Sequence, residues 1–421
     1  MNKTVEKSGS VDLTFTAPPS KSFTHRALIA GALAAGKTTL FRPLDSEDTR
    51  LTATALRQLG VGIEEQPGRL IITGCNGALK NRENTTLDLD NSGTSLRLLT
   101  TLALLCRHPV ILTGSARMQE RPIGPLAEAL PAIGGNVEFQ KTPGYPPLKV
   151  SGQLRGGPVT IDGSISSQFI SSILMAAPYA EQEVAVVIPA PPASASYLDI
   201  TLSVMEDFGA QVTRDGYGKF VVSTMDRYRG RRYAIEGDYS SASYFFAIAA
   251  VCGGRVTVNK LAPQSVQGDR RFLDALAAMG CTVTYGKDAV TVERTGGLRG
   301  IAADMSSSPD TVQTLCIVAS MATTPTTLTG ISHLKFKESD RINGTAERLR
   351  ALGGDVTVGD DSITIRPAAL HGGSIDPAND HRTAMSFAVL GLAVGGITIT
   401  DAECVNKSFP GFWDAVKDLI P

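Results

Sequence analysis

The chain has 421 residues, 42% of them hydrophobic, with 40 Lys and Arg against 41 Asp and Glu and a formal net charge of −1. Such a length exceeds one compact core and predicts two domains, or one built from repeated units, while balanced charge without a long basic run excludes a surface that tracks nucleic acid. The six cysteines, at positions 75, 106, 252, 281, 316 and 404, form no C-x-x-C pair, which excludes a zinc framework and the disulfide pattern of a small secreted protein.

From the start of the chain, Met1 to Phe15 is polar and charged, and the later apolar stretches are broken by Arg, Gly or Pro. A cytoplasmic protein without membrane contact is expected. Lys21 and Ser22 then read as a short loop, followed by an apolar helix from His25 to Ala34, a stop at Gly36 and a strand over Thr38–Phe41. Residues 31–38 spell G-A-L-A-A-G-K-T, formally a Walker loop. That loop must follow a strand and deliver its lysine to a helix start, whereas Gly31 lies inside a helical run and Lys37 precedes a strand. Nucleotide binding is therefore rejected.

The helix-then-strand phrase returns near Ser95, Ser167, Ser241, Thr311 and Arg382, a spacing of about 70 residues. A second phrase is interleaved: a charged helix closing on an apolar-Gly step, at Leu59-Gly60, Ile133-Gly134, Phe208-Gly209, Met279-Gly280 and Leu352-Gly353. Six units of two helices and several short strands result, an α/β organisation that splits naturally as three plus three. After Phe409 the sixth unit reaches only Trp413 and Leu419 without a following strand, so a strand must come from elsewhere, with the N-terminus a candidate. Crossings near Ala17–Ser20 and in the Arg- and Tyr-rich Tyr228–Ala234 give one discontinuous domain over 1–18 and 233–421 and a second over 19–232. An interdomain cleft would gather the chemically distinctive helix starts of both halves. The alternative is a repeat scaffold that binds anions without catalysis.

Asn91-Ser92-Gly93-Thr94, Ser164–Gln168 and Asp238–Ser241 each stand immediately before a repeated helix, where unpaired N–H groups favour an anion. Ordinary N-capping draws the same residue types, and it is the reading kept for Asp238, Ser240 and Ser241. Ser194 to Tyr197 adds a hydroxyl-rich loop. Toward the C-terminus, Asp310, Lys337-Glu338-Ser339-Asp340-Arg341, Asp380-His381-Arg382 and Lys407 combine acids and cations. Asp310 and Glu338 suit proton exchange, while Arg341, Arg382, Lys407 and Arg121 suit the carboxylate and phosphate of a small dianion. A solvated ionic network has the same letters, and the local pattern leaves both open. His381 has no companion at metal-ligand spacing, so no metal is predicted.

Pro19-Ser20-Lys21-Ser22 with His25-Arg26, Asn91-Ser92-Gly93-Thr94, Arg117–Gly124, Lys337–Arg341 and Asn379–Arg382 together resemble the 3-phosphoshikimate 1-carboxyvinyltransferases among the enolpyruvyl transferases, over nearly the whole chain. The resemblance implies two similar domains, each of three βαβαββ units in an inside-out α/β barrel, with the active site between them. It implies transfer of the enolpyruvyl group of phosphoenolpyruvate to the 5-hydroxyl of shikimate 3-phosphate, without a metal or organic cofactor. By the same resemblance, Lys21, Ser22, Arg26, Ser166, Ser167, Gln168, Ser194, Tyr197, Asp310, His333 and Lys337 bind the acceptor. Lys21, Asn91, Gly93, Arg121, Gln168, Arg341, Arg382 and Lys407 bind the donor, and Asp310, Glu338 and Lys21 are catalytic. The two small molecules are the expected partners of a monomer. Three positions depart from the family's pattern: Leu98 where glyphosate-sensitive relatives commonly carry Pro, His333 where many have Asn, and Ala195-Ser196 in place of Lys-Pro. The related UDP-N-acetylglucosamine enolpyruvyl transferases usually carry a reactive Cys in the loop that here reads Gly114 to Pro122, which contains none.

Overall fold

A run of small and branched apolar residues opened by a capping hydroxyl or carboxylate combines a helix start with a surface that must be buried all round. In the computed structural model, which describes residues 1–419, all six such runs are buried helices. Five of them are capped by a side chain, from Ser20, Ser92, Ser166, Asp238 and Asp380. The chain divides into two compact units, Pro19–Ile235 and Met1–Pro18 with Glu236–Pro421, each with its own apolar core.

The Pro19–Ile235 unit contains α1 (Lys21–Leu33), α2 (Glu47–Gln58), α3 (Gly93–Leu102), α4 (Gly124–Ala129), α5 (Ser167–Ala176) and α6 (Ser196–Asp207). Helix α1 begins four residues before its apolar run because Ser20 caps it, so Lys21 and Ser22 are helical where a loop was expected. Gly31 lies inside α1 and Lys37 opens the strand Lys37–Phe41, an order incompatible with a Walker loop. Three four-stranded sheets accompany the helices. The first runs Arg232–Ala234, Lys37–Phe41, Arg69–Thr73, Gly62–Gln66; the second Thr85–Asp88, Val110–Thr113, Leu148–Gly152, Gly135–Phe139; the third Gly157–Thr160, Val184–Val187, Lys219–Val222, Val212–Asp215. In each the first pair is parallel and the rest antiparallel. A parallel pair needs a long crossover, which α3 and α5 supply in the second and third sheets. Because Arg232–Ala234 pairs with Lys37–Phe41, this unit runs to Ile235, slightly beyond the boundary at 232.

The other unit contains α7 (Tyr239–Cys252), α8 (Phe272–Ala278), α9 (Val312–Ser320), α10 (Arg341–Ala351), α11 (His381–Val394) and α12 (Phe412–Ala415). Two of its sheets repeat the four-stranded order: Val11–Thr16, Gly254–Asn259, Ala289–Arg294, Thr282–Tyr285, and Ala302–Asp304, Thr326–Thr329, Ser362–Arg366, Asp355–Val358. The sixth sheet has three strands, with Gly373–Ile375 parallel to Ile397–Ile399 and Lys3–Val5 antiparallel on the other side. Lys3–Val5 thus takes the place held elsewhere by a strand that follows the charged helix. The recurring glycines at 60, 134, 209, 280 and 353 all have φ between 89° and 109°, a left-handed turn that ends each charged helix at no Cβ cost.

Candidate active site residues

In the Pro19–Ile235 unit the site residues stand on helix starts. Lys21 opens α1, and its Nζ lies 2.9 Å from Asp48 Oδ2 in the first turn of α2. Arg26 follows, 1% exposed. Its Nε donates to Thr201 Oγ1 at 2.7 Å, and its terminal N–H groups donate to the carbonyls of Ser22 at 3.1 Å and Tyr197 at 3.2 Å. Each of these partners is a neutral oxygen, and burial lowers the guanidinium pKa to about 10. Arg121 donates to the carbonyl and side-chain oxygens of Asn91 at 3.0 and 3.1 Å. Gly93, the first residue of α3, lies so near that a Cβ there would be 2.5 Å from Arg121 Nη2. Gln168, in the first turn of α5, accepts from Arg97 at 2.9 Å and donates to Thr94 Oγ1 at 2.9 Å.

Ser166 caps α5 by accepting from the Gln168 N–H at 3.3 Å, and Ser167 follows as its first residue. Ser194 has φ of 57° and accepts from the Tyr197 N–H at 3.0 Å, turning the chain into α6. Ser196 and Tyr197 are therefore helical, not part of a loop. With a further bond from Arg26 Nη2 to Ser171 Oγ in α5 at 3.5 Å, these contacts join the N-terminal halves of α1, α2, α3, α5 and α6, whose N–H groups and dipoles favour an anion.

The second unit builds a different cluster. Arg341 opens α10 behind its cap Asp340 and reaches three carboxylates: Asp380 at 2.8 Å, Glu338 at 2.6 Å and Asp310 at 3.1 Å. Burial works against its charge, but Asp380, Glu338 and Asp310 outweigh that and hold it above the usual guanidinium range. Arg382, in the first turn of α11, donates to Asp310 Oδ2 at 2.6 Å, to the Asp310 carbonyl at 3.1 Å and to Ser240 Oγ. Lys407 Nζ stands 4.0 Å from Glu338 Oε1. Asp310, Glu338 and Asp380 thus interlock with Arg341, Arg382 and Lys407 around the starts of α9, α10 and α11. His333 is buried in the turn Ser332–Phe336, and burial followed by the Lys337 charge lowers its pKa to about 3. It is a neutral hydrogen-bonding ring at ordinary pH. Among the described residues no group of three or more His, Cys, Asp or Glu is arranged to hold a metal.

Two contributors, Asp48 and Arg97, had no role in the sequence reading, and Asp380 stood in its charged cluster without an assigned role. Asp48 holds Lys21, Arg97 orients Gln168, and Asp380 lies fully buried between Ser339, at 2.9 Å, and Arg341. Only Arg97, a guanidinium inside the apolar run Leu96–Leu99, carried a local signal; Asp48 and Asp380 stand in polar segments, and the partners are 27, 71 and 39 residues away.

The EPSP synthase (3-phosphoshikimate 1-carboxyvinyltransferase) family model matches residues 5–416. A 3-phosphoshikimate 1-carboxyvinyltransferase of Methanoculleus marisnigri is 64% identical over 412 residues, covering 98% of each chain. One from Serratia proteamaculans is 41% identical over 420 residues, covering 99% of this chain and 98% of its own. Among solved structures, an EPSP synthase from Acinetobacter baumannii aligns with a TM-score of 0.83 at 30% identity, covering 99% of this chain and 98% of that one.

Proposed function

The chain belongs to the EPSP synthase family, and we propose that it transfers the enolpyruvyl group of phosphoenolpyruvate to the 5-hydroxyl of shikimate 3-phosphate, releasing inorganic phosphate. The observation that carries the chemistry is the placing of two carboxylates, Glu338 and Asp310, on one buried guanidinium, Arg341, with Arg382 and Lys407 beside them.

Addition and elimination need a proton delivered and then withdrawn. Protonation of the donor methylene makes the adjacent carbon electrophilic, the acceptor hydroxyl adds to it and loses its own proton, and a tetrahedral intermediate results. Phosphate then leaves with cleavage of the C–O bond while a methyl proton is removed, restoring the double bond. Glu338 and Asp310 carry these protons. Lys21, Arg121, Arg341, Arg382 and Lys407 hold the donor anion, with Asn91 and Gly93 shaping its place and Gln168 fixed by Arg97. Fixed charges aimed at the leaving phosphate stabilise the charge that develops on it.

The acceptor phosphate is taken by Ser166, Ser167 and Ser194 at helix starts. Lys21, Ser22, Arg26, Gln168 and Tyr197 line its ring, while Asp310, His333 and Lys337 meet the hydroxyls. Neutral His333 donates or accepts there without titrating. The protein acts as a cytoplasmic monomer. Light scattering behind a sizing column checks the monomer, and fluorescent-fusion imaging the compartment. The deciding assay follows phosphate release from phosphoenolpyruvate with shikimate 3-phosphate or UDP-N-acetylglucosamine as acceptor. Turnover with the first alone is expected; turnover with the second alone would overturn the assignment.

A further inference from the structure

Behind these residues runs a buried chain that no role above uses. His25 in α1 is fully buried, with Nδ1 2.8 Å from Thr52 Oγ1 in α2. Thr52 Oγ1 is 2.7 Å from Ser95 Oγ in α3. Ser95 Oγ is 2.7 Å from Ser92 Oγ, the cap of α3, and donates to the Asp48 carbonyl at 3.3 Å. The other ring nitrogen, His25 Nε2, is buried and has no hydrogen-bond partner among the described residues.

Counting protons gives this chain a direction. A carbonyl only accepts, so the Ser95 proton points to Asp48. Each hydroxyl has one proton to donate, so Thr52 and Ser92 must both donate to Ser95 Oγ. Thr52 then accepts from His25, which places the ring hydrogen on Nδ1 and leaves Nε2 a bare lone pair. The opposite direction would bury an Nε2–H with no acceptor, and a charged ring would do the same, each at the cost of an unsatisfied donor. Burial, which lowers the His25 pKa to about 3, agrees with a neutral ring. With its proton engaged, Ser92 Oγ offers lone pairs to the Ser95 N–H.

We propose that His25 is a positioning residue: as a fixed Nδ1–H donor it orders the Thr52–Ser95–Ser92 hydroxyls and thereby sets Asp48, the partner of Lys21, and the Gly93 end of α3 in one geometry for the donor anion. The proposal rests on the reading that Lys21 and Gly93 serve phosphoenolpyruvate. Its chemistry needs only a donor at the δ position, which an asparagine amide also offers and a leucine does not.

Two measurements test it. In the ligand-free protein labelled with ¹⁵N in histidine, ring correlation spectra should show His25 as the neutral Nδ1–H tautomer; an Nε2–H or charged ring would overturn the proposal whatever the enzyme's activity. In kinetics, His25→Leu should raise the KM for phosphoenolpyruvate about tenfold with kcat within about threefold, and His25→Asn should restore most of the difference. Should His25→Leu fail to fold, Thr52→Val breaks the chain at its next link and Thr52→Ser restores it, with the same split expected. Equal effects of the Leu and Asn variants, or a fall in kcat at constant KM, would count against the role. A wild-type protein without transferase activity would sink the donor-site reading and leave the tautomer result standing.

Discussion

The two units bury a guanidinium in opposite ways. Arg26 is surrounded by two hydroxyls and two carbonyls, and its pKa falls to about 10. Arg341, also buried, sits among three carboxylates and is held above its ordinary range. A cation held by neutral oxygens keeps its charge available to an arriving anion, in surroundings where attraction is weakly screened. A cation already matched by carboxylates attracts less, but it lets a neighbouring carboxylate change protonation without a large change in local solvation. The first arrangement suits a receptor for an anionic acceptor; the second suits proton traffic.

The sharpest way to break this contrast is Glu338→Gln, which keeps shape and removes the exchangeable proton. Turnover should fall on the order of 10²–10⁴-fold while the fold and most ligand binding persist. Single-turnover measurement of intermediate and product isolates the step, and an unchanged chemical rate would refute the role. Next comes stability. Arg341→Met leaves Asp380, Glu338 and Asp310 without their shared cation, at a cost of about 3–5 kcal/mol. Arg26→Met strands only neutral oxygens, at about 1–3 kcal/mol, and should weaken acceptor binding. Denaturant titration of both variants compares the two costs, and equal values would erase the distinction.

The histidines sharpen the comparison with acid. His25 and His333, one in each unit, both have a folded pKa of about 3 against about 6.5 unfolded. Between those values the unfolded chain binds more protons. The stability that their neutrality gives at pH 7 is therefore lost as the pH falls from about 6.5 toward about 3, by up to about 1.4 kcal/mol per unit for each ring. His333→Asn should roughly halve that histidine contribution in stability measured from pH 7 to pH 4, and should leave the pH–rate profile between pH 6 and pH 8 unchanged. The smallest effect belongs to the outer face of α2. Arg50 and Asp45 pair at 2.5 Å with side chains 64% and 70% exposed, so Arg50→Ala should cost at most about 1 kcal/mol and leave kcat/KM alone.

Much of this architecture is legible in the chain because it is periodic. The apolar runs from His25, Ser95, Ser167, Ser241, Thr311 and Arg382 and the apolar-Gly steps report helices and their ends, since burial on all sides and left-handed turns each need particular residues. Start points were less clear: Lys21, Ser22, Ser196 and Tyr197 are polar and look like loop, yet N–H groups at a helix start are satisfied by such residues and by ligands. Pairings were least visible. Nothing near Lys21 names Asp48, and nothing near Gln168 names Arg97, because those contacts arise only when separate helices pack.

The strand Lys3–Val5 carries a consequence for synthesis. Its partner, Ile397–Ile399, lies 394 residues away. At about 5–20 residues per second, roughly 20–80 s separate the two on the ribosome. The Pro19–Ile235 unit is complete long before then, while Lys3–Val5 waits unpaired for a strand made 394 residues later. An exposed strand edge of that kind is a site for wrong pairing with another chain. In Lys3–Val5 the hazard is limited by length, three residues with a lysine at the first, so the segment that must wait longest also offers little to a stray partner.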